Sequence, residues 1–192
     1  MTVLRCREHI ASYPEHALGW INLGMNYTEL HRYAEAESAL KQGLALAPQD
    51  KRHLVIWQLG HLEQARGNYW LAMKWHRKSA RLQPDNASSW IYCGHIAFAQ
   101  GRLKQAENFE RRALQCKEGA FEEAWFNLGG ALLAQDRLEE ARECYLKAIA
   151  IAPKYGIAKK RLKDVELALA ERAQTSPKPS HPRRSRRAAA KR

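Results

Sequence analysis

The chain has 192 residues, of which 45% are hydrophobic, and its net charge is +12. This apolar content is sufficient to form a core, which excludes a wholly disordered chain. Charged residues interrupt every apolar stretch, so no bilayer-spanning segment is predicted, and the first residues lack the apolar run of a secretory signal. We therefore expect a cytoplasmic location, or a nuclear one if the source has a nucleus.

The four cysteines form no Cys-x-x-Cys pair, and their spacing matches neither a zinc site nor a disulfide framework. We expect reduced thiols that fill small gaps in the core. Phosphate-binding, dinucleotide-binding and metalloprotease motifs are also missing from the sequence. The sequence therefore predicts a protein without a metal, a cofactor or catalytic residues.

A period of about 34 residues organises most of the chain. Each period predicts two helices joined by a turn, which contains Gly67 in the second period and Gly101 in the third. Proline cannot continue a helix, so the prolines between periods mark the start of the next unit. The periods begin at Ala17, His53, Ala87 and Glu122, and the prolines are Pro48, Pro84 and Pro153.

Small residues recur at three equivalent positions in all periods. Two helices approach closely only where their crossing point carries small side chains. A glycine inside a helix costs about 1 kcal/mol relative to alanine, so its recurrence at one position indicates a packing requirement. The three sets are Gly24, Gly60, Gly94 and Gly129; Ala36, Ala72, Ala106 and Ala141; and Gly43, Ser79, Ala113 and Ala148.

This pattern resembles the tetratricopeptide repeat family over about residues 17 to 155. The residues that carry the resemblance in the first period are Trp20-x-x-Leu23-Gly24-x-x-Tyr27, Ala36, Leu40 and Pro48. The resemblance implies an all-α fold, a right-handed α-solenoid of stacked antiparallel helix pairs with a C-terminal capping helix. The predicted units are the second helix of a partial repeat (1–16), four repeats (17–52, 53–86, 87–121 and 122–155), the capping helix (156–174) and a disordered basic tail (175–192).

Two features depart from the family pattern. Glu118-Gly119 stands where proline is usual after the third repeat, so we expect a looser turn there. His76 and Glu110 occupy a position of the second helix that normally holds a large aromatic residue, and an aromatic residue lies one position earlier in each case. This shift predicts altered packing of those two helices.

The first helices of such repeats line the concave side of the solenoid, and the resemblance implies that this groove binds a protein or peptide partner. Its aromatic, aliphatic and amide residues would form an exposed surface that is nearly free of charge. The predicted groove residues are Ile21, Asn22, Met25, Leu54, Trp57, Gln58, His61, Ile91, Tyr92, His95, Phe98, Phe126 and Asn127. The alternative is that the chain's own termini, or a second copy of the chain, cover them.

The amides of this groove are similar to the asparagine ladder of some family members, but the series is incomplete because Tyr92 replaces one of them. Family members that capture a chaperone's C-terminal carboxylate carry lysines and an arginine in the groove. Those cations are missing here, so we do not expect that activity. The aromatic residues Trp70, Trp75 and Phe109 form a second candidate surface on the convex side, with burial between helices as the alternative.

The C-terminal tail contains prolines and basic residues but no acidic residue, which predicts an extended and solvated segment. It could contact nucleic acid, an acidic partner or an anionic membrane surface, or serve only as a solubilising end. Its basic residues are Lys178, Arg183, Arg184, Arg186, Arg187, Lys191 and Arg192.

These features together predict a noncatalytic scaffold or adaptor that binds a peptide segment in its concave groove. The alternative function is a nucleic-acid-associated protein that uses the Arg-rich tail. A third possibility is the docking half of an enzyme complex whose catalytic subunit is a separate chain. The sequence leaves the partner, the pathway and the oligomeric state open.

Overall fold

The computed structural model describes residues 2–175, and within that range it contains ten α-helices and no β-strand. A short 3-10 turn, Gln49–Lys51, precedes the fourth helix. The helices are α1 (Val3–Ser12), α2 (Ala17–Glu29), α3 (Tyr33–Leu46), α4 (Arg52–Ala65), α5 (Tyr69–Leu82), α6 (Ser88–Ala99), α7 (Leu103–Ala113), α8 (Phe121–Leu133), α9 (Leu138–Ile151) and α10 (Gly156–Thr175).

The helices form four consecutive antiparallel pairs, α2 with α3, α4 with α5, α6 with α7, and α8 with α9. Each pair packs on the next, α1 packs on α2, and α10 packs on α9. The prediction of an all-α solenoid of stacked helix pairs is therefore confirmed. The helix bounds lie close to the predicted unit limits, and the division into units at those limits stays a prediction.

In each pair, a large side chain of the second helix packs against a glycine of the first helix. The facing residues are Gly24 with Leu40, Gly60 with His76, Gly94 with Glu110 and Gly129 with Tyr145. A Cβ atom added to Gly129 would lie 2.8 Å from Cε1 of Tyr145, a ring that is only 1% exposed. Because the ring has no space to move into, any larger residue than glycine would force the two helices apart.

The turn inside each pair contains one residue in the left-handed backbone region, always at the equivalent position. Glycine adopts this conformation without a steric penalty, whereas other residues are rarely found there. The non-glycine side chains make polar contacts, since Nδ1 of His31 lies 2.8 Å from Oη of Tyr33 and Asp136 accepts a hydrogen bond from Arg172. The four residues and their φ angles are His31 (57°), Gly67 (79°), Gly101 (71°) and Asp136 (62°).

Ion pairs join the first pair to the second and the third pair to the fourth. Arg66 binds Glu37 of the preceding pair at 2.7 Å, and Arg137 binds the almost fully buried Glu107 at 2.8 Å. Burial alone would raise the pKa of Glu107, but hydrogen bonds from Lys104, Arg111 and Gln135 and the charge of Arg137 lower it to about 2. Glu107 therefore stays ionised throughout the physiological range.

The junction between the second and third pairs is apolar instead. Met73 occupies the position equivalent to Glu37 and Glu107, and it packs against a cluster that contains Ala97 and Ala106. The middle of the stack is consequently joined by close packing of side chains rather than by a buried carboxylate.

The turn after the third pair is not loose, so that expectation was wrong. The backbone N–H of Lys117 donates to the carbonyl of Asp85 at 2.9 Å, and the N–H of Ala87 donates to the carbonyl of Glu118 at 2.8 Å. Lys117 Nζ also lies 2.8 Å from a carboxylate oxygen of Asp85. These contacts fix the turn to the preceding inter-pair turn, and Gly119 allows the approach because a Cβ there would lie 2.5 Å from Cβ of Ala87.

The residues that replace the usual aromatic ring in the second helices are buried. His76 is 0% and Glu110 1% exposed, and each lies under the glycine of its first helix. Trp75 is partly buried against the core of the first pair, and the ring of Phe109 stacks on Trp90 with centroids 6.0 Å apart. For Trp75 and Phe109, burial between helices is therefore the better description than a convex binding surface.

Substitution of the buried glycine in α8 tests the close approach of the helices. Gly129→Ala should lower the free energy of unfolding by roughly 1–2 kcal/mol, because overpacking outweighs the gain in helix propensity. The neighbouring Gly130 is the matched control, since a Cβ there meets only Oη of Tyr145, at 4.0 Å. Gly130→Ala should be neutral or stabilising by up to about 1 kcal/mol. Urea denaturation measures both values, and equal effects of the two substitutions would contradict the proposed constraint.

The buried imidazole of His76 should make stability depend on pH. Burial, and to a lesser extent the neighbouring His61, lowers the pKa of His76 to about 3. The unfolded chain binds a proton below the usual histidine pKa of about 6.5 while the folded chain does not, so stability falls as the pH falls from about 6.5 towards 3. Between about pH 7 and pH 5, this single residue should account for a loss of about 2 kcal/mol.

Urea denaturation of the wild type and of His76→Leu at these two pH values isolates this contribution. Leucine is the residue found at the equivalent position of the first pair. The variant should lose less stability on acidification than the wild type. Identical pH dependence of the wild type and His76→Leu would show that His76 is not responsible.

Candidate functional site

The first helices of the four pairs, α2, α4, α6 and α8, form one side of the stack, which we call the inner face. Two cavities open on it. One, of about 470 Å³, lies between the C-terminal ends of α2, α4 and α6, and its walls include Thr28, His61 and Gln64. The other, of about 310 Å³, lies between α6, α7 and α8 and also borders α9 and α10. Both volumes fall in the usual range for ligand pockets, or close to it.

Eleven of the thirteen predicted groove residues have side chains that are at least partly accessible on this face. Leu54, His95 and Phe98 are exposed. The half-buried residues are Asn22, Met25, Trp57, Gln58, His61, Tyr92, Phe126 and Asn127. Their role in binding stays a prediction, but their arrangement is compatible with one continuous surface.

Ile21 and Ile91 are buried, at 6% and 2% exposed, which corrects their assignment to the groove surface. Cγ1 of Ile21 lies 3.1 Å from the position that a Cβ of Gly43 would occupy in α3. Ile91 belongs to a core cluster with Ala113 and Ala124. Both isoleucines therefore point between helices and stabilise the stack.

Four aromatic rings form a cluster at the centre of the inner face. Trp57 lies 4.1 Å from His61 and 5.3 Å from Tyr92 between ring centroids. Tyr92 also stacks on His76 at 5.1 Å with an interplanar angle of 17°. Trp57 and Tyr92 come from different repeats, so their contact shows that adjacent first helices present their side chains to the same surface.

The two histidines of this cluster are uncharged at neutral pH. Burial lowers the pKa of His61 to about 4, and burial together with His61 lowers the pKa of His76 to about 3. Several polar atoms here are buried without a hydrogen-bond partner in the described part of the chain, namely Trp57 Nε1, His61 Nε2, Gln64 Oε1 and both ring nitrogens of His76. Such atoms are uncommon in native proteins because each unmade hydrogen bond is costly.

The smaller cavity contains a residue that the groove prediction missed. Glu110 is 1% exposed and lines this cavity together with Phe98, Phe126 and Asn127. The groove positions were taken from first helices only, whereas Glu110 lies on α7, a second helix. A sequence signal was present, because a carboxylate stood where the family has an aromatic ring.

The first helices carry few formal charges, and most of these are negative. Apart from Arg52 at the first residue of α4, the four first helices contain no lysine or arginine. Their acidic residues are Glu29, Glu63, Glu122 and Glu123. The cations that would hold a peptide's terminal carboxylate are therefore lacking on these helices.

Among residues 2–175, no group of three or more His, Cys, Asp and Glu side chains has an arrangement that could hold a metal ion. Cys93, close in sequence to His95, is buried, and this burial raises the pKa of its thiol to about 12. No helix in the same range is both long enough and apolar enough to cross a membrane.

The predicted convex surface retains one exposed aromatic residue, and the basic tail lies outside the described part of the chain. Trp70 is 73% exposed on α5, and Nζ of Lys74 lies 5.4 Å from the centroid of its indole ring. Trp70 is thus the member of the predicted convex set that is freely accessible. The basic tail residues, from Lys178 to Arg192, lie outside the described residues.

Comparison with known proteins agrees with this architecture. The family model described as "Tetratricopeptide repeat" matches residues 17–50 and 122–155. Human tetratricopeptide repeat protein 7B is 28% identical over 130 residues, which are 68% of this chain and 15% of that protein. The chain thus spans only about a seventh of the length of this relative, and human tetratricopeptide repeat protein 7A gives the same 15% with 25% identity.

Solved structures show the same fold at lower identity. The structure of PilF from Pseudomonas aeruginosa superposes with a TM-score of 0.71 at 20% identity, covering 82% of this chain and 70% of that one. The first TPR of Spaghetti (RPAP3), solved with the HSP90 peptide SRMEEVD, has a TM-score of 0.59 at 23% identity and covers 63% of this chain and 95% of that one. Sequence pattern, helix pairing and these similarities lead to one conclusion: the chain contains tetratricopeptide repeats and has the fold of stacked tetratricopeptide helix pairs.

Proposed function

We propose that this chain is a noncatalytic interaction scaffold that binds an extended peptide segment of a partner protein along its inner face. The observation that carries the proposal is that aromatic and amide side chains on the four first helices are at least partly accessible. Aromatic residues dominate the energetics of protein interfaces, so these side chains are the strongest feature of the surface.

Apolar contact would come mainly from the C-terminal half of this face. Phe98 is 41% exposed and lies beside Phe126 in the wall of the smaller cavity. A solvent-exposed phenylalanine next to a cavity gives a partner side chain both a contact surface and a space to enter. Leu54, 43% exposed on α4, extends the apolar surface towards the first repeat.

Polar contact would come from carboxamides on three of the four first helices. Asn22, Gln58 and Asn127 are half-buried on α2, α4 and α8. A carboxamide donates and accepts hydrogen bonds together, so it can pair with a peptide backbone whatever the peptide's sequence. The partner's side chains would then be selected by the cavities between the amides.

The bound peptide should differ in charge from the one in the similar RPAP3 structure. That peptide, SRMEEVD, ends in acidic residues. The first helices of this chain carry glutamates and, apart from Arg52, no lysine or arginine, so an acidic peptide end would find few cationic partners on them. A neutral or basic segment fits this electrostatic environment better.

Three alternatives have distinct outcomes. A second copy of this chain on the inner face would appear as a dimer in light scattering, and a substitution on that face would dissociate it. Nucleic-acid association through the tail would be lost on deletion of residues 175–192, whereas peptide binding would be retained. A docking role in an enzyme complex would be revealed by a stoichiometric catalytic subunit in purified material.

Peptide selection tests the proposal directly. Peptides selected from a random display library on the wild-type chain should bind the double variant Phe98→Ala/Asn127→Ala at least about tenfold more weakly, because contacts at an interface centre carry most of the affinity. Trp70→Ala is the control, since it removes a more exposed aromatic ring from α5. Fluorescence anisotropy measures the affinities, and circular dichroism checks that helicity is unchanged.

Equal affinities of the double variant and the wild type would exclude the inner face as the binding site. Failure to select any peptide, with the chain folded and monomeric, would contradict the proposal as a whole.

A further inference from the structure

The smaller cavity on the inner face has a mostly apolar wall and one buried carboxyl group. Its volume is about 310 Å³, and the rings of Phe98 and Phe126 form part of its lining with Leu133. The polar residues in its wall are Glu110, Asn127, His95, Tyr145 and Arg161. Phe98 and Phe126 come from adjacent repeats, so the cavity lies across the junction of the third and fourth pairs.

Glu110 is the most unusual group in this wall. Its side chain is 1% exposed, and neither carboxyl oxygen has a partner in full hydrogen-bond geometry within residues 2–175, although the Asn127 amide lies near enough to favour the charged form. Burial raises its pKa well above the usual range, and the charge of Glu123 adds to this rise while Asn127 opposes it. A carboxyl group in this position is costly for the fold, and an isolated structural role would be served better by the aromatic ring of the family pattern.

A second carboxylate makes the surroundings more negative. Desolvation raises the pKa of Glu123, the charge of Glu122 adds to this effect, and His95 opposes it. None of these three glutamates forms a salt bridge in the described structure. Arg161 is the one guanidinium in the cavity wall, and its Nη1 lies 3.7 Å from a carboxylate oxygen of Asp164 on its own helix.

We propose that this cavity receives a lysine or arginine side chain of the bound peptide, with Glu110 as its counter-ion and Phe98 and Phe126 against its aliphatic stem. The proposal rests on the peptide-binding function proposed above and names the side chain that the groove selects. The positive charge of an ammonium or guanidinium group lowers the pKa of Glu110, so the carboxyl group releases its proton to solvent on binding. The same group supplies hydrogen-bond donors to the two carboxyl oxygens. Aromatic rings accommodate both the methylene groups and the charge of such a side chain.

The chemistry of the wall favours a cation over other occupants. An ionised acidic side chain would bring a further negative charge towards Glu123 and no hydrogen-bond donor for the oxygens of Glu110. A purely apolar side chain would fill the space but leave the carboxyl oxygens without partners. A carboxamide could satisfy both oxygens of a protonated Glu110, and it is therefore the competing outcome that the experiment must separate.

Positional preferences in peptide selection test the proposal. The wild-type chain and the isosteric variant Glu110→Gln are each used to select peptides from the same random display library. We expect a lysine or arginine at one fixed position of the wild-type peptides, and loss of that preference with Glu110→Gln while the other positions are kept. Glu139→Gln is the matched control, because it removes the same charge from an exposed residue of α9.

A second measurement needs no variant of the protein. The basic residue of the best wild-type peptide is replaced by norleucine, which keeps the aliphatic stem and removes the charge. The affinity for the wild-type chain should fall at least about 30-fold, as expected when one partner of a buried charge pair is removed.

The results of the two experiments distinguish failure of the counter-ion role from failure of peptide binding. Selection of peptides without a basic preference, or an unchanged affinity of the norleucine peptide, would overturn the counter-ion role of Glu110 and leave the peptide-binding function standing. Enrichment of asparagine or glutamine at the fixed position would replace the cation by a carboxamide and would equally overturn the proposal. If no peptide is selected, the peptide-binding function itself fails.

Discussion

The contact between a glycine of the first helix and a large side chain of the second helix is the constraint on which this structure depends. It sets the distance between the two helices of every pair, and it places one side chain of each second helix directly beneath the inner face. In the outer pairs that side chain is Leu40 or Tyr145, and in the middle pairs it is His76 or Glu110. The same geometry that permits close packing thus determines which chemical groups underlie the binding surface.

The two polar residues act on stability in opposite directions. His76 has a lowered pKa, so its contribution is present at neutral pH and is lost as the pH falls below about 6.5. Glu110 has a raised pKa, so the folded chain keeps a proton that the unfolded chain releases, and its contribution is lost as the pH rises. No single pH therefore maximises the stability contributions of both His76 and Glu110. This loss of stability is understandable if at least one of the two residues serves binding.

Sequence reasoning was most successful where spacing along the chain determines structure directly. The recurring glycines and alanines predicted the helix pairs because residues three and four apart share a helix face. It failed for Ile21 and Ile91, which were assigned by their position in the repeat although their side chains point between helices. The turn at Glu118 was misjudged because backbone hydrogen bonds to Asp85 and Ala87, about one repeat away, hold it in place. The cavity around Glu110 could not be predicted, because its walls come from five helices whose side-chain directions depend on packing.

The alternation of ionic and apolar junctions limits how an array of this kind can lengthen or shorten. If the second helix pair were deleted, Glu37 of the first pair would face the turn inside the third pair. Arg102 lies in that turn at the position equivalent to Arg137, which binds Glu107. The carboxylate would still find a guanidinium. If the second helix pair were duplicated, Met73 of the first copy would face Arg66 of the second copy. That arginine would lack the ion pair with a preceding glutamate and would retain only the ion pair with Glu63 of its own helix. Whole-unit deletion therefore keeps an ion pair across this junction, whereas tandem duplication creates a junction without one.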